Sequence, residues 1–265
     1  MKVVKRKGII MAGGSGSRLA PTTEVLSKHL FPVYNKPMIY YPLTTLMLAG
    51  VSDVLIVTNK KDKSFYYSLL GDGTQWGIAI QYAHQESPRG LADGLIIAEN
   101  FLEGLPSVMV LGDNIFYGDG FVKHLQAAFT CESATVFSYK VADPSRYAIV
   151  EFEQNKQIRS LEEKPQNPKS DLAITGLYFY PEDASQLAKT LNYSARKELE
   201  ITDLNNLYHE QNRLSVTSLG RGITWFDVGT HDSLLEASQF VRLLEARQGQ
   251  KIAWPEEVAH RLGYI

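Results

Sequence analysis

The chain has 265 residues, of which 44% are hydrophobic, enough to bury one large or two small domains. Its formal net charge is −2, from 27 basic and 29 acidic residues, and this balance argues against a nucleic-acid-binding protein. No apolar run approaches the roughly 20 residues that a membrane helix requires. A single cysteine, Cys131, excludes an internal disulfide and fits a cytoplasmic location.

The first 140 residues alternate short apolar runs with longer amphipathic segments. The basic stretch before them, "MKVVKRKG", lacks the apolar segment of a secretion signal and is expected to be a short solvated extension. Strands are predicted at 8–12, 53–58, 78–83, 107–112 and 134–139, with helices at 37–49, 62–70, 91–102 and 119–129. This alternation predicts an α/β fold with a Rossmann-like, mostly parallel sheet wrapped by helices, whose ligand binds beyond the carboxyl ends of the strands.

From about residue 141 the predicted strands become more frequent. Strands are expected at 147–153, 158–164, 173–180 and 214–220, and helices at 182–191, 202–212, 231–247 and 255–262. No Gly/Ser-rich linker separates the two halves. We therefore predict a single domain over 1–265, with a smaller, β-rich, substrate-facing subregion at about 141–265.

A glycine-rich turn follows the first predicted strand. Gly13, Gly14 and Gly16 allow the backbone to approach a ligand closely, and Arg18 and Lys28 add two cations. The turn is neither a P-loop, since no Gly-Lys-Ser/Thr occurs, nor a dinucleotide fingerprint, whose third glycine is replaced by Leu19. Backbone N–H groups of such a turn can hold phosphate oxygens, with Arg18 as a bidentate clamp and Lys28 as a movable point charge.

A longer set of segments places this turn in a family. "GIIMAGGSGSRLAPTTEVLSKHLFPV", followed in order by "KPMIYYPL", "VLGDNIFYG", "LEEKP", "TGLYFY", "ELEIT" and "DVGTHDSLLEA", resembles the sugar-1-phosphate nucleotidyltransferases, in particular the glucose-1-phosphate thymidylyltransferases. The resemblance runs from about residue 7 to the C-terminus. It implies dTTP and glucose 1-phosphate as substrates, Mg²⁺ as cofactor and a homo-oligomer, either tetramer or dimer. It further implies that residues 1–140 bind the nucleotide and 141–265 the sugar phosphate.

The resemblance also implies roles for individual residues. Arg18 and Lys28 would be catalytic, and Asp113 and Asp227 would be the magnesium ligands. The nucleotide would be bound by the glycine turn and by a second loop that reads the base, with the residues Gly13, Gly14, Ser15, Gly16, Gln85 and Gly90. The sugar phosphate would be bound by residues from several segments: Asn114, Tyr147, Ala148, Glu163, Lys164, Ile174, Gly176 and Trp225.

Several positions depart from the pattern of this family. Arg89 stands where an acid is usual, Asp93 where a neutral amide is usual, and Ala148 where glycine is common. These changes leave open the same chemistry with UTP or another sugar 1-phosphate, and also a non-catalytic relative that binds nucleotides. The chain stops at "HRLGYI", where many relatives continue, so feedback inhibition by a downstream deoxysugar nucleotide is expected to be weak or differently built.

Overall fold

The computed structural model describes residues 5–265. Its strands, in chain order, are β1 (Lys7–Ala12), β2 (Pro32–Val33), β3 (Lys36–Pro37), β4 (Asp53–Thr58), β5 (Ala79–His84), β6 (Ser107–Leu111), β7 (Asn114–Gly118), β8 (Ala134–Lys140), β9 (Ala148–Phe152), β10 (Ile158–Glu163), β11 (Leu172–Tyr180), β12 (Leu214–Ser218) and β13 (Ile223–Asp227). Its α-helices are α1 (Tyr40–Leu48), α2 (Lys63–Leu70), α3 (Asp93–Ile97), α4 (Glu99–Leu102), α5 (Phe121–Phe129), α6 (Ala184–Ala188), α7 (Ile201–Glu210), α8 (His231–Gln248) and α9 (Pro255–Leu262).

A nine-stranded sheet organises the fold. Seven strands follow the order β10-β9-β11-β6-β1-β4-β5, while β8 pairs with β11 and β12 pairs with β8. The segment β6-β1-β4-β5 is parallel throughout, and β12 is parallel to β8. β11 runs antiparallel to β6, β8 and β9, so the complete sheet is mixed. The predicted α/β class is confirmed, and strands from both halves of the chain share one sheet.

The central strands are buried on both faces. In β1, Ile9 belongs to one apolar cluster and Ile10 to another, because successive side chains of a strand point to opposite faces. The cluster around Ile10 packs against α1, α5 and α9, and the cluster around Ile9 packs against α3 and α7. This double burial explains the nearly continuous apolar sequence of these strands. Within residues 5–265, no helix is both long enough and apolar enough to cross a bilayer.

Three predicted helices differ clearly from the observed ones, of which the one expected at 182–191 spans only Ala184–Ala188. The helix expected at 37–49 begins only at Tyr40, because Lys36–Pro37 pairs with Pro32–Val33 as a small hairpin. The helix expected at 91–102 is divided into α3 and α4, with Ala98 at φ −79°, ψ −4° between them. An antiparallel ribbon of β7 and β13 was not predicted.

The sequence predicts a solvated N-terminal extension, and this prediction is wrong for Arg6. Residues 1–4, to which it also applies, lie outside the described residues. Arg6 is 3% exposed, and its guanidinium donates to the backbone carbonyls of Phe129, Cys131 and Tyr180 at 2.6–2.9 Å. A buried arginine is tolerated here because each of its three guanidinium nitrogens donates to a backbone carbonyl.

Candidate active site

The glycine turn leaves β1 at the carboxyl edge of the parallel strands. Gly16 has φ 63°, a left-handed conformation that glycine adopts without strain, and it leads into a 3₁₀ turn at Ser17–Leu19. The Thr23 hydroxyl donates to the Gly16 carbonyl at 2.9 Å and holds the loop in this shape. Gly14 and Ser15 are exposed, and no other atom lies within 4 Å of a β-carbon placed on Gly14. The backbone is therefore open to a ligand at this point.

A cavity of about 200 Å³ lies beside this turn. It gathers six of the residues that the sequence analysis singled out: Gly13, Gly14, Lys28, Gln85, Gly90 and Asp113. Its remaining walls are supplied by apolar side chains and two polar residues, namely Met11, His29, Pro88, Leu91, Leu111 and Glu198. A second cavity of about 210 Å³ shares Gly13, Gly14 and Pro88 with the first and adds Ser15. Five of the six predicted nucleotide residues, all but Gly16, thus line cavities at the edge where α/β sheets bind ligands.

A buried ion pair joins Lys28 to Asp113 in the first cavity. Burial alone would raise the pKa of Asp113, but the Lys28 ammonium and a hydrogen bond from Asn114 outweigh it, and the pKa lies below its ordinary value. His29, next to Lys28, is fully buried, and burial together with the charge of Lys28 lowers its pKa to about 3. His29 is therefore neutral near pH 7, and Lys28 carries the positive charge of this region.

Asn114 is a buried hub between the two halves of the candidate site. It is 1% exposed, and its Nδ2 donates to Asp113 Oδ1 at 2.9 Å. Its Oδ1 accepts from the Gly176 backbone N–H at 2.9 Å and from Trp225 Nε1 at 2.7 Å. One amide thereby fixes the Asp113 carboxylate, β11 and the Trp225 ring relative to one another.

Asp227 lies at the end of β13, directly opposite Asn114 in the ladder with β7. The next residue, Val228, donates its N–H to the Asp113 carbonyl at 2.9 Å, so the two aspartates are neighbours across the ribbon. Burial and the Asp113 charge raise the pKa of Asp227 to about 6, although Lys28 and Arg18 act in the opposite direction. A buried carboxylate, Asp113, beside a half-buried one, Asp227, is a fit for a hard divalent cation.

Within residues 5–265 no group of three or more His, Cys, Asp or Glu side chains is arranged to hold a metal.

Arg18 is exposed and lies outside the lining of the first cavity. Its guanidinium packs against Gly229, since a β-carbon placed there would be 2.5 Å from Arg18 Nη2. Arg18 therefore lies beside Asp227 and within electrostatic reach of it.

The residues predicted to bind sugar phosphate form the adjoining surface. The rings of Tyr147 and Trp225 have centroids 5.3 Å apart. The backbone N–H of Lys164 donates to the backbone carbonyl of Tyr147 at 3.1 Å. Glu163 pairs with Ala148 in the β9–β10 ladder. Two predicted residues on β11 are buried: Ile174 packs in the apolar cluster around Ile9, and the Gly176 backbone N–H donates to Asn114.

Sequence reasoning missed Arg196. Its guanidinium bonds Glu200 at 2.7 Å and Glu163 at 3.0 Å, and it lies 3.6 Å from Glu198. Glu163 also accepts a hydrogen bond from Thr202 at 2.6 Å. The predicted sugar-binding carboxylate is thus held from two sides. The only signal was the charge pattern "ARKELE", which is equally typical of a solvated surface.

Sequence reasoning also missed a contact of Asp93. This residue is 1% exposed and accepts a hydrogen bond from Gln85 Nε2 at 2.7 Å. The sequence identified both residues but could not show that they touch, because the loop between them has no regular spacing.

Comparison with known proteins places this geometry in a family. The family model for nucleotidyl transferases matches residues 7–243. A glucose-1-phosphate thymidylyltransferase of Neisseria meningitidis is 54% identical over 98% of the chain and 90% of its own length. A glucose-1-phosphate thymidylyltransferase of Xanthomonas campestris is 52% identical over 99% of the chain and 90% of its own length. A crystal structure from Bacillus anthracis, provisionally given the same enzyme name, superposes with a TM-score of 0.82 at 39% identity, over 89% of this chain and 95% of that one. The chain therefore belongs to the nucleotidyl transferase family, in the group of the glucose-1-phosphate thymidylyltransferases.

Proposed function

We propose that the protein transfers a thymidylyl group from dTTP to glucose 1-phosphate and so forms dTDP-glucose and pyrophosphate. The enzyme name carried by relatives that are 52–54% identical over nearly the whole chain supports this reaction. The observation that carries the proposal is one cavity that combines the open glycine backbone, the buried Lys28 and the amide of Gln85. These are a phosphate-binding element, a fixed positive charge and a group able to pair with a base edge.

In the nucleotide half, the backbone of Gly13, Gly14, Ser15 and Gly16 binds the triphosphate. Arg18 approaches from the side of Asp227 and adds a guanidinium fork for phosphate oxygens. On the neighbouring loop, Gln85 and Gly90 hold the base. This loop lies close to the glycine turn, because Gln85 Oε1 is 3.6 Å from a β-carbon placed on Gly13.

Asp113 and Asp227 would hold Mg²⁺. The burial of Asp113, the proximity of the two carboxylates and the raised pKa of Asp227 fit a cation that takes one or two carboxylates and completes its shell with phosphate oxygens and water. When bound, the ion neutralises charge on the triphosphate.

In the reaction, an oxygen of glucose 1-phosphate forms a bond to the α-phosphorus, and the bond from that phosphorus to the bridging oxygen of pyrophosphate breaks. The attacking oxygen is already anionic, so the protein needs no general base. The work of the chain is positioning and charge stabilisation. Lys28 stabilises the charge that develops on the α-phosphoryl oxygens. Lys164, which is 47% exposed, binds the incoming phosphate.

The sugar is held by the adjoining surface. Glu163, kept in place by Arg196 and Thr202, accepts hydrogen bonds from sugar hydroxyls. The remaining walls are Asn114, Tyr147, Ala148, Ile174, Gly176 and Trp225. In this proposal residues 1–140 bind the nucleotide and 141–265 the sugar phosphate, within one domain.

The test is pyrophosphate release by the purified protein with Mg²⁺ and glucose 1-phosphate, across dTTP, UTP, CTP, ATP and GTP. We expect release with dTTP, dTDP-glucose identified by mass, and loss of at least about a hundredfold in kcat in Lys28→Ala, whose role is stabilisation of transition-state charge. Lys169→Ala, a change at an exposed lysine, serves as the control and should retain activity. Release with UTP in preference to dTTP would assign the same chemistry to another nucleotide, and no release with any nucleotide would refute the proposal.

The homo-oligomeric state and the cytoplasmic location expected from the sequence are part of the same proposal. Sedimentation of the purified protein distinguishes a monomer from a dimer or tetramer.

A further inference from the structure

The amide of Gln85 is held by acceptors on one side. Gln85 is 7% exposed, and its Nε2 donates to Asp93 Oδ2 at 2.7 Å and to the Gly90 carbonyl at 3.2 Å. The second oxygen of Asp93 pairs with Arg89 Nη2 at 2.8 Å. Asp93 itself is 1% exposed, so its contact with Gln85 is shielded from water, whereas the Arg89 side chain is half-exposed.

These contacts decide which way round the amide lies. The Asp93 carboxylate, which pairs with Arg89, can only accept hydrogen bonds, and so can the Gly90 carbonyl. Both acceptors must therefore face the NH₂ group of Gln85. The reversed amide would place Oε1 against the buried Asp93 carboxylate and the part-buried Gly90 carbonyl, which carries the cost of an unsatisfied polar group. The NH₂ group has two hydrogens, and both are used.

The acceptor of Gln85 is left for the cavity. None of the hydrogen bonds that Gln85 makes within residues 5–265 uses Oε1. This atom points toward the glycine turn, 3.6 Å from a β-carbon placed on Gly13. A ligand in the cavity therefore meets Gln85 as an acceptor only.

Resting on the proposed function, we propose that Asp93 is a specificity-determining positioning residue, which holds Gln85 so that it accepts a hydrogen bond from a base N3–H. Thymine and uracil carry this N3–H between two carbonyls, whereas cytosine has an unprotonated N3 that is itself an acceptor. The fixed Oε1 therefore favours the first two bases and repels the third. Asp93 touches neither base nor phosphate and acts entirely through Gln85.

The test compares two substitutions that differ in what they offer to Gln85. In Asp93→Asn the side chain gains a donor, so the Gln85 amide can turn and present its NH₂ group to the base. We expect the ratio of kcat/KM for dTTP to that for dCTP to fall by about tenfold or more, the cost of one buried hydrogen-bonding group with the wrong partner. Asp93→Glu keeps an acceptor-only side chain and should retain the wild-type ratio, even where its kcat is lower.

The nucleotide ratio separates positioning from a structural role, because general loosening of the site lowers kcat/KM for both nucleotides alike. Asp93→Gln, measured in parallel, supplies a second amide should Asp93→Asn not fold. Although an amide is usual at this position in the family, an acid is usual there at position 89; in this chain Arg89 engages the oxygen of an introduced amide and leaves its NH₂ group facing Gln85. A ratio unchanged in both amide variants, or lowered equally in Asp93→Glu, would overturn the proposal.

Binding of dTTP and dCTP measured by calorimetry without a sugar phosphate tests the proposal independently of catalysis. If the wild type binds dTTP in preference to dCTP but forms no dTDP-glucose, the proposed function fails while the role of Asp93 remains testable in the same variants. If the wild type does not prefer dTTP over dCTP, the role assigned to Asp93 is wrong.

Discussion

Replacing Asn114 by alanine should destabilise the protein more than most single substitutions do. The change removes the acceptor shared by the Gly176 N–H and Trp225 Nε1 and the donor to Asp113. Because Asn114 is 1% exposed, water does not readily replace these partners. Each orphaned buried group costs about 1–3 kcal/mol, so the two donors together predict a loss of about 2–6 kcal/mol in the free energy of unfolding.

The loss can be measured by urea denaturation followed by circular dichroism, with the midpoint and slope compared between variants. Asn206→Ala is a matched control, since that half-buried amide makes only a long contact of 3.4 Å with the Leu161 carbonyl and should cost less than about 1 kcal/mol. Asn114→Asp keeps both acceptor contacts and should be more stable than Asn114→Ala at low pH, where its carboxyl is protonated. A loss in Asn114→Ala no larger than that of the control would refute the reasoning.

Three further predictions follow, two from shifted pKa values and one from a close backbone approach. Asp227→Asn should abolish activity and should stabilise the fold by up to about 3 kcal/mol above pH 6. The reason is the raised pKa of Asp227, because of which the wild-type protein loses stability as the pH rises from 3.8 to about 6. Urea denaturation measured across this pH range checks the prediction. Burial lowers the pKa of His29 to about 3, so the neutral side chain contributes its full stability above pH 6.5. This contribution to the free energy of unfolding falls below pH 6.5, by up to about 5 kcal/mol near pH 3. His29→Gln should therefore flatten the acid side of a plot of Tm against pH. Gly90→Ala should raise the KM for dTTP, because a β-carbon at φ 100° would lie 2.4 Å from the Leu199 carbonyl oxygen; an unchanged KM would contradict this.

Much of the fold was predictable because local pattern and tertiary burial agree. The strands at 8–12 and 53–58 are apolar on both faces, and the helix at 231–247 has Thr230 and Ser233 as a capping box. The β7–β13 ribbon was not predicted, since its partners are more than a hundred residues apart and "NIFYG" directly follows another strand. The antiparallel direction of β11 likewise depends on long-range pairing.

The candidate site was predictable where sequence motifs are contiguous. The glycine turn and Asp113 lie where a parallel sheet presents its carboxyl ends, and the cavity there contains residues of both. What the sequence could not show is which polar groups pair: the hub at Asn114, the link from Gln85 to Asp93 and the carboxylates around Arg196. These contacts join separate loops, and no periodicity encodes them.

The position of β11 limits how the molecule can open and close. It forms ladders with β6, β8 and β9, so residues assigned to the nucleotide and residues assigned to the sugar phosphate are carried by one continuous hydrogen-bonded sheet. A hinge rotation between the halves would have to break these ladders in a region that is almost completely buried. We therefore expect any closure around substrates to come from the loops at the rim rather than from rotation of one half of the chain against the other.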